Sequence, residues 1–288
     1  MSAVYGCIVC DYLVVIVCYA EQSGQLLVGL CYSEQLCVVG GVFGVTQLRD
    51  VVYVVFSSAI RRYNATTHRR LADIVVMGCR YPLDIAACEL TCQLYVADHV
   101  DVWRVSSDGV DIQRWLTKSP SDTFRPHKLS VTSSRLLVTS IGDRQLRQFD
   151  AVGGDELRRV GLPDYMEPWH AVESPTATFI VGHSNTQLSQ WQVSEVSTEG
   201  QVLRQFSGSS LGWPEHIVVD RQGNIFVADS GYRHILLLDA QLALRRVIID
   251  ARQLNGRWSQ RLCYTEQSGQ LLVGFEKGGV AVFDVLRR

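Results

Sequence analysis

Two histidines, His170 and His216, stand at matching places in the chain, each two residues after a proline: Pro168-Trp-His and Pro214-Glu-His. Asp84 holds the same place after Pro82. Imidazole suits zinc and a carboxylate suits zinc or calcium, so His170, His216 and Asp84 could hold a divalent ion if the fold brought them to one point. With a base for water, such a site would serve a hydrolase or a lyase. The other acids on matching segments are few, Glu173 and Glu266. Asp98 and Asp229 end short apolar runs and are expected to cap the turns that follow. Cys7-Ile-Val-Cys10 lacks a second pair, and Cys88 and Cys92 only flank a turn, whereas a zinc site needs four converging ligands. A histidine at a loop-to-strand junction ordinarily bonds backbone. The expectation is therefore no cofactor, with calcium or zinc at His170, His216 and Asp84 as the alternative.

The elements that position these residues are read from 213–239. Ile217–Val219 is a short apolar run, Asp220-Arg-Gln-Gly223 a turn, Ile225–Ala228 a second run, Asp229-Ser-Gly231 a second turn, and Ile235–Leu238 a third run. Leu244–Ile249 adds a fourth. Four strands in about forty residues match a propeller blade. Aligning the chain on this unit gives six copies, opening near Phe43, Tyr81, Arg125, Glu167, Trp213 and Leu262. Gln93-Leu-Tyr-Val-Ala-Asp98 nearly repeats Asn224-Ile-Phe-Val-Ala-Asp229. In this alignment the six equivalent inner positions are Phe43, Asp84, Lys128, His170, His216 and Leu262.

The last copy lacks a fourth strand, and an open edge exposes unpaired backbone groups. Glu34–Gly40 matches the fourth strand at Glu156–Gly161, so 34–40 is expected to close the ring. Cys18–Leu30 repeats Cys263–Phe275, differing only at Ala20/Thr265 and Leu30/Phe275. That leaves 1–33 as an N-terminal segment outside a domain spanning 34–288. The expected fold class is all-β: a six-bladed β-propeller of four-stranded antiparallel blades, closed by an N-terminal strand.

Pro, a short apolar strand, Asp-x-x-Gly, then Ile-Phe-Val-Ala-Asp-Ser-Gly-x-x-x-Ile resembles the NHL repeat of six-bladed propellers. The resemblance covers roughly 34–288 and is closest in the fifth copy. It implies a scaffold of the kind found at the C-terminus of tripartite-motif ubiquitin ligases, where it binds RNA or protein. Gluconolactonase-like hydrolases and the amidating lyase are related propellers, which is what the alternative of a divalent-metal enzyme implies. No RING, B-box or coiled coil is seen before the repeats, so ligase activity does not carry over.

Composition narrows the partner. A net charge of −2 over 288 residues offers no field for DNA, and no uncharged apolar stretch reaches the ~18 residues of a bilayer span. Nine cysteines, an odd number and several inside apolar runs, fit reduced thiols and a cytoplasmic protein. The alternative of secretion rests on the apolar run over 5–20, which no basic residue precedes and Asp11 interrupts. Trp, Tyr and Arg carry interface energy. Trp169 and Trp213 flank blade-opening prolines one blade apart, and Tyr232 and Arg233 sit in the turn after Asp229. These four, together with His170 and His216, are the expected binding residues, for a protein partner first and single-stranded RNA second.

Overall fold

A computed structural model describes residues 28–31, 41–56, 59–79, 81–117 and 123–285. They form six four-stranded antiparallel sheets arranged as the blades of a propeller. Blade one is β2 (Gly44–Leu48), β3 (Val51–Phe56), β4 (Ala59–Asn64) and β5 (Ile74–Val75). Blade two is β6 (Asp84–Cys88), β7 (Gln93–Ala97), β8 (Asp101–Ser106) and β9 (Ile112–Thr117). Blade three is β10 (Lys128–Thr132), β11 (Arg135–Ser140), β12 (Gln145–Asp150) and β13 (Glu156–Gly161). Blade four is β14 (Met166–Glu173), β15 (Phe179–Asn185), β16 (Gln190–Val196) and β17 (Val202–Ser207). Blade five is β18 (Pro214–Val219), β19 (Ile225–Asp229), β20 (His234–Leu238) and β21 (Leu244–Ile249). Blade six is β22 (Ser259–Thr265), β23 (Gln270–Phe275), β24 (Val280–Val285) and β1 (Val28–Cys31). The inner strands β2, β6, β10, β14, β18 and β22 abut in ring order, and β22 meets β2. Among the described residues no helix is long and apolar enough to cross a membrane.

The closing strand differs from expectation. Val28–Cys31 pairs antiparallel with β24, placing Leu30 opposite Phe283. The segment 34–40, expected in this position, lies outside the described residues. The reason is in the duplication. Val28-Gly-Leu30 copies Val273-Gly-Phe275, which already pairs with β24 on its other edge. The same apolar run suits both sides of one strand.

Six apolar clusters, one between each pair of successive blades, make up the core. The middle strands carry it: Leu94, Val96, Leu136, Val138, Val181 and Val227 are 0–1% exposed. Close packing at this density is what Val, Ile and Leu on both faces of a sheet allow. Acidic residues tie the turns. Asp220 Oδ1 accepts from the N–H groups of Gln222 and Asn224, and Gly223 completes that turn at φ 82°, where a Cβ would meet Ala240 at 3.1 Å. Asp98 caps in the same way, accepting from Val100 and Asp101.

Candidate functional site

Each inner strand begins on one face of the ring, the opening face, and ends on the far face. Near its start, every inner strand puts one residue at the same register. These are Gly44, Asp84, Lys128, His170, His216 and Arg261, opposite Val55, Ala97, Thr139, Gly182, Ala228 and Gly274 of the second strands. The alignment had Phe43 and Leu262 in place of Gly44 and Arg261, one residue off in blades one and six. The slip falls in the two blades that have no opening proline. In blades four, five and six the register shifts between Pro168 and His170, Pro214 and His216, and Ser259 and Arg261. This bulge does not cause the slip, since blades four and five share it and are aligned correctly. Blade six has Ser259 where the proline would mark the position, so the sequence offered no anchor there.

The ring of residues stitches all six blades. Asp84 Oδ2 accepts from Leu129 N–H of blade three at 3.0 Å. His170 Nδ1 accepts from Ile217 N–H of blade five at 3.0 Å, and its Nε2 faces the Leu129 carbonyl of blade three at 3.3 Å. Arg261 donates to the carbonyls of Phe43 in blade one and Leu83 in blade two, and pairs with Glu215 of blade five at 3.1 Å. Lys128 reaches the Leu83 carbonyl at 3.5 Å and Glu215 at 3.9 Å. Asp84, Lys128 and His170 are each 1% exposed.

Burial governs the protonation states. It would raise the Asp84 carboxyl, but His216, Lys128 and Arg261 hold it well below the usual carboxylate range. Burial and the Arg261 charge push Lys128 down to about 7, against the pull of Asp84 and Glu215. Burial likewise holds His170 far below its ordinary value and lowers His216 despite Asp84. The two imidazoles are neutral and stacked, ring centres 3.8 Å apart.

Asp84, His170 and His216 thus converge, with ligand atoms within 4.8 Å of one another. The set fits a divalent ion poorly. Both nitrogens of His170 already face backbone partners, and the Asp84 carboxylate is already offset by the cations Arg261, at 3.6 Å, and Lys128. An ion there would break one interblade bond and sit among positive charges. His216 Nδ1 and Asp84 Oδ1 make no hydrogen bond. From His170 and His216 a cavity of about 570 Å³ runs to the far face, where Arg49, Glu89, Arg221 and Glu266 stand at its mouth. Glu173 lines it too, held by Arg135 at 2.8 Å and by Gln148.

The expected surface residues gather on the opening face. Trp169 and Trp213 meet edge to face, ring centres 4.9 Å apart. Trp191, at the start of β16, stacks on Trp213 at 5.2 Å and was missed because its place in blade four carries no repeat signal. Tyr232 is half exposed, and its turn lies against Gly212 and Trp213 so closely that a Cβ on Gly231 would meet Trp213 N at 2.8 Å. Arg233 lies over the exposed Trp258 ring of blade six, a second residue the sequence reading passed over. Asp229 organises this corner. Its buried carboxylate accepts from the N–H groups of Gly212, Trp213 and Tyr232, and from His234. His170 and His216 do not join this surface, because both are buried beneath it.

No family model matches the chain, and no curated protein matches it in sequence. Solved structures match its fold. The WD40 β-propeller domain of Doa1 superposes with a TM-score of 0.59 at 13% identity, over 86% of this chain and 94% of that one. Streptogramin B lyase superposes with a TM-score of 0.62 at 10% identity, over 88% and 97%. A chain of the nidogen/laminin complex gives a TM-score of 0.62 at 14% identity, over 75% and 82%. At these identities the likeness is one of fold, shared by binding domains and an enzyme alike.

Proposed function

We propose that this propeller is a binding module without chemistry of its own, cytoplasmic, and that a protein partner engages the opening face over blades four and five. The observation that supports this is the division of labour between neighbouring residues. His170 and the central charges are committed to bonds between blades, whereas Trp169, Trp213, Tyr232 and Arg233 gather at one surface. Two partly buried tryptophans and a half-exposed tyrosine beside an arginine have the composition of an interface hot spot. The free thiols of Cys79, Cys88, Cys92 and Cys263 accord with a reducing compartment.

The second reading, a divalent-metal hydrolase or lyase, draws on the convergence of Asp84, His170 and His216. One set of measurements separates the two. The full chain is panned against displayed peptides and a random single-stranded RNA pool, and its metal content is measured. Peptide binders should lose about thirtyfold in affinity on Trp213→Ala or Arg233→Ala and little on Arg62→Ala with Arg69→Ala. Enrichment of RNA alone would move the partner to nucleic acid. One zinc or calcium per chain, lost in His216→Ala, would favour the enzyme.

A further inference from the structure

A cavity of about 380 Å³ opens between blades four and five on the far face, away from the tryptophans. Its origin is a missing ring. Facing the position two residues after each inner-strand residue just described, the second strand of each blade points one side chain at the next blade. In blade one this is Tyr53, in blade two Tyr95 and in blade five Phe226, opposite Thr46, Ala86 and Val218. All three are at most 2% exposed. The Tyr53 hydroxyl donates to the Ser107 carbonyl of blade two at 3.0 Å, and the Tyr95 hydroxyl to the Ala151 carbonyl of blade three at 2.6 Å. Phe226 stacks on Tyr264 of blade six. Blade three has Leu137 here, and Gln148 opposite it closes the gap by bonding Glu173 of blade four. Blade six has Leu272, packed on Val52 and Val54 of blade one.

Blade four has Ile180, opposite Val172. It is a ring short of Tyr53 and Tyr95, and nothing else fills the space. The carbonyl corresponding to those of Ser107 and Ala151 is that of Ala240. The preceding residues Ser106, Asp150 and Asp239 each donate N–H across their turns, to Asp111, Asp155 and Ala243. Ala240 lines the cavity, and its carbonyl accepts from Arg204 Nη1 at 3.3 Å. Glu195 stands opposite Ile180, where the three ring-bearing blades have Arg62, Arg104 and Leu237. Its side chain is 10% exposed. Oε1 accepts from Thr178 Oγ1 at 2.8 Å, while Oε2 makes no hydrogen bond and has Arg204 Nη1 at 3.6 Å. A buried carboxylate oxygen without a donor is costly. Pro175, Ile180, Val219 and Ile225 supply apolar walls.

We propose that this cavity binds a phenol. The flat ring takes the place of the side chain that blades one and two supply themselves, and the hydroxyl donates to Glu195 Oε2. The phenol is either a free small molecule or the tyrosine side chain of a partner. The volume lies in the range of ligand pockets, and an apolar cavity of about 150 Å³ already takes benzene. The site stands independently of the role given to Trp169 and Trp213, which lie on the other face.

The test uses the full chain with p-cresol, toluene and a Gly-Ser peptide carrying one tyrosine, followed by titration and crystal soaking. Saturable binding of p-cresol, at least tenfold tighter than toluene, is expected. Ile180→Tyr should abolish it by filling the cavity as Tyr53 and Tyr95 fill theirs. The isosteric Glu195→Gln, which perturbs folding least, should weaken it at least tenfold. A peptide that binds more tightly than p-cresol marks a partner's tyrosine as the source, and the reverse order marks a small molecule. Failure of both probes to bind, or binding unchanged in Ile180→Tyr or in Glu195→Gln, overturns the proposal.

Discussion

Replacing Asp229 by alanine should both destabilise the ring and disorganise the proposed binding face. The carboxylate is fully buried and accepts four bonds: from Gly212 N–H at 2.7 Å, Trp213 N–H at 2.8 Å, Tyr232 N–H at 3.2 Å and His234 Nε2 at 3.1 Å. Each donor left buried without its acceptor costs about 1–3 kcal/mol. Gly212 and Trp213 are part-buried and Tyr232 exposed, so water recovers some of this, and a net loss of about 3–4 kcal/mol follows. That is a large share of the 5–15 kcal/mol that holds a typical domain together. Asp229→Asn keeps one acceptor oxygen and should lose about half as much. Guanidinium unfolding followed by circular dichroism measures the loss. Tryptophan fluorescence reports the change around Trp213, which packs on Trp169 and Trp191. Asp98→Ala is the control. It removes the cap on Val100 and Asp101 in blade two and should destabilise comparably while leaving the binding face intact. Burial would raise the Asp229 carboxyl, but His234 and the three N–H groups hold it below its ordinary value. Its contribution is therefore complete above the unfolded pKa of about 3.9 and is lost as pH falls through the lower folded value. A stability within 1 kcal/mol of wild type for Asp229→Ala would refute this account of the corner.

Buried histidines should make the protein acid-sensitive well above the carboxylate range. Burial pushes His183 down to about 4, so between roughly 6.5 and 4 the unfolded chain holds the extra proton and stability falls with pH, by up to ~1.4 kcal/mol per pH unit. Urea midpoints at pH 7.5 and 5 check this, and His183→Gln should flatten the slope. Lys128, pushed down to about 7 from 10.5, acts at the other end. Stability should rise with pH between those values, and Lys128→Met should remove that rise. Deleting residues 1–31 removes β1 and bares one edge of β24, so the melting temperature should drop by several degrees, at ~2–4 °C per kcal/mol. An unchanged melting temperature would show that the closing strand adds nothing.

The propeller was legible because its signals are local and repeated. Short unbroken apolar runs, Asp-led turns and a blade-opening proline recur at similar spacing, and each has a direct structural cause. The convergence of Asp84, His170 and His216 followed from that register alone. Arg261 escaped because blade six has Ser259 where blades two to five have the proline that marks the position. Trp191 and Trp258 escaped because they face a neighbouring blade's loops, a relation between repeats that no single repeat displays. The cavity beside Ile180 was invisible for a similar reason. Isoleucine is an ordinary strand residue, and its meaning appears only beside Tyr53 and Tyr95 at the same register.

The closing strand also has a history in time. Val28–Cys31 leaves the ribosome long before Val280–Val285, and at ~5–20 residues per second the interval is on the order of tens of seconds. Throughout it the segment has no ladder to join. When its partner arrives it meets a competitor, since β23 carries the same Leu-Leu-Val-Gly run and precedes β24 by a single tight turn. Hairpin formation takes microseconds, so β23 claims its edge of β24 first and leaves only the other for the older copy. Order of synthesis thus assigns two nearly interchangeable strands to different sides of one neighbour, and refolding from denaturant, where both copies are present at once, should be slower and less faithful than synthesis.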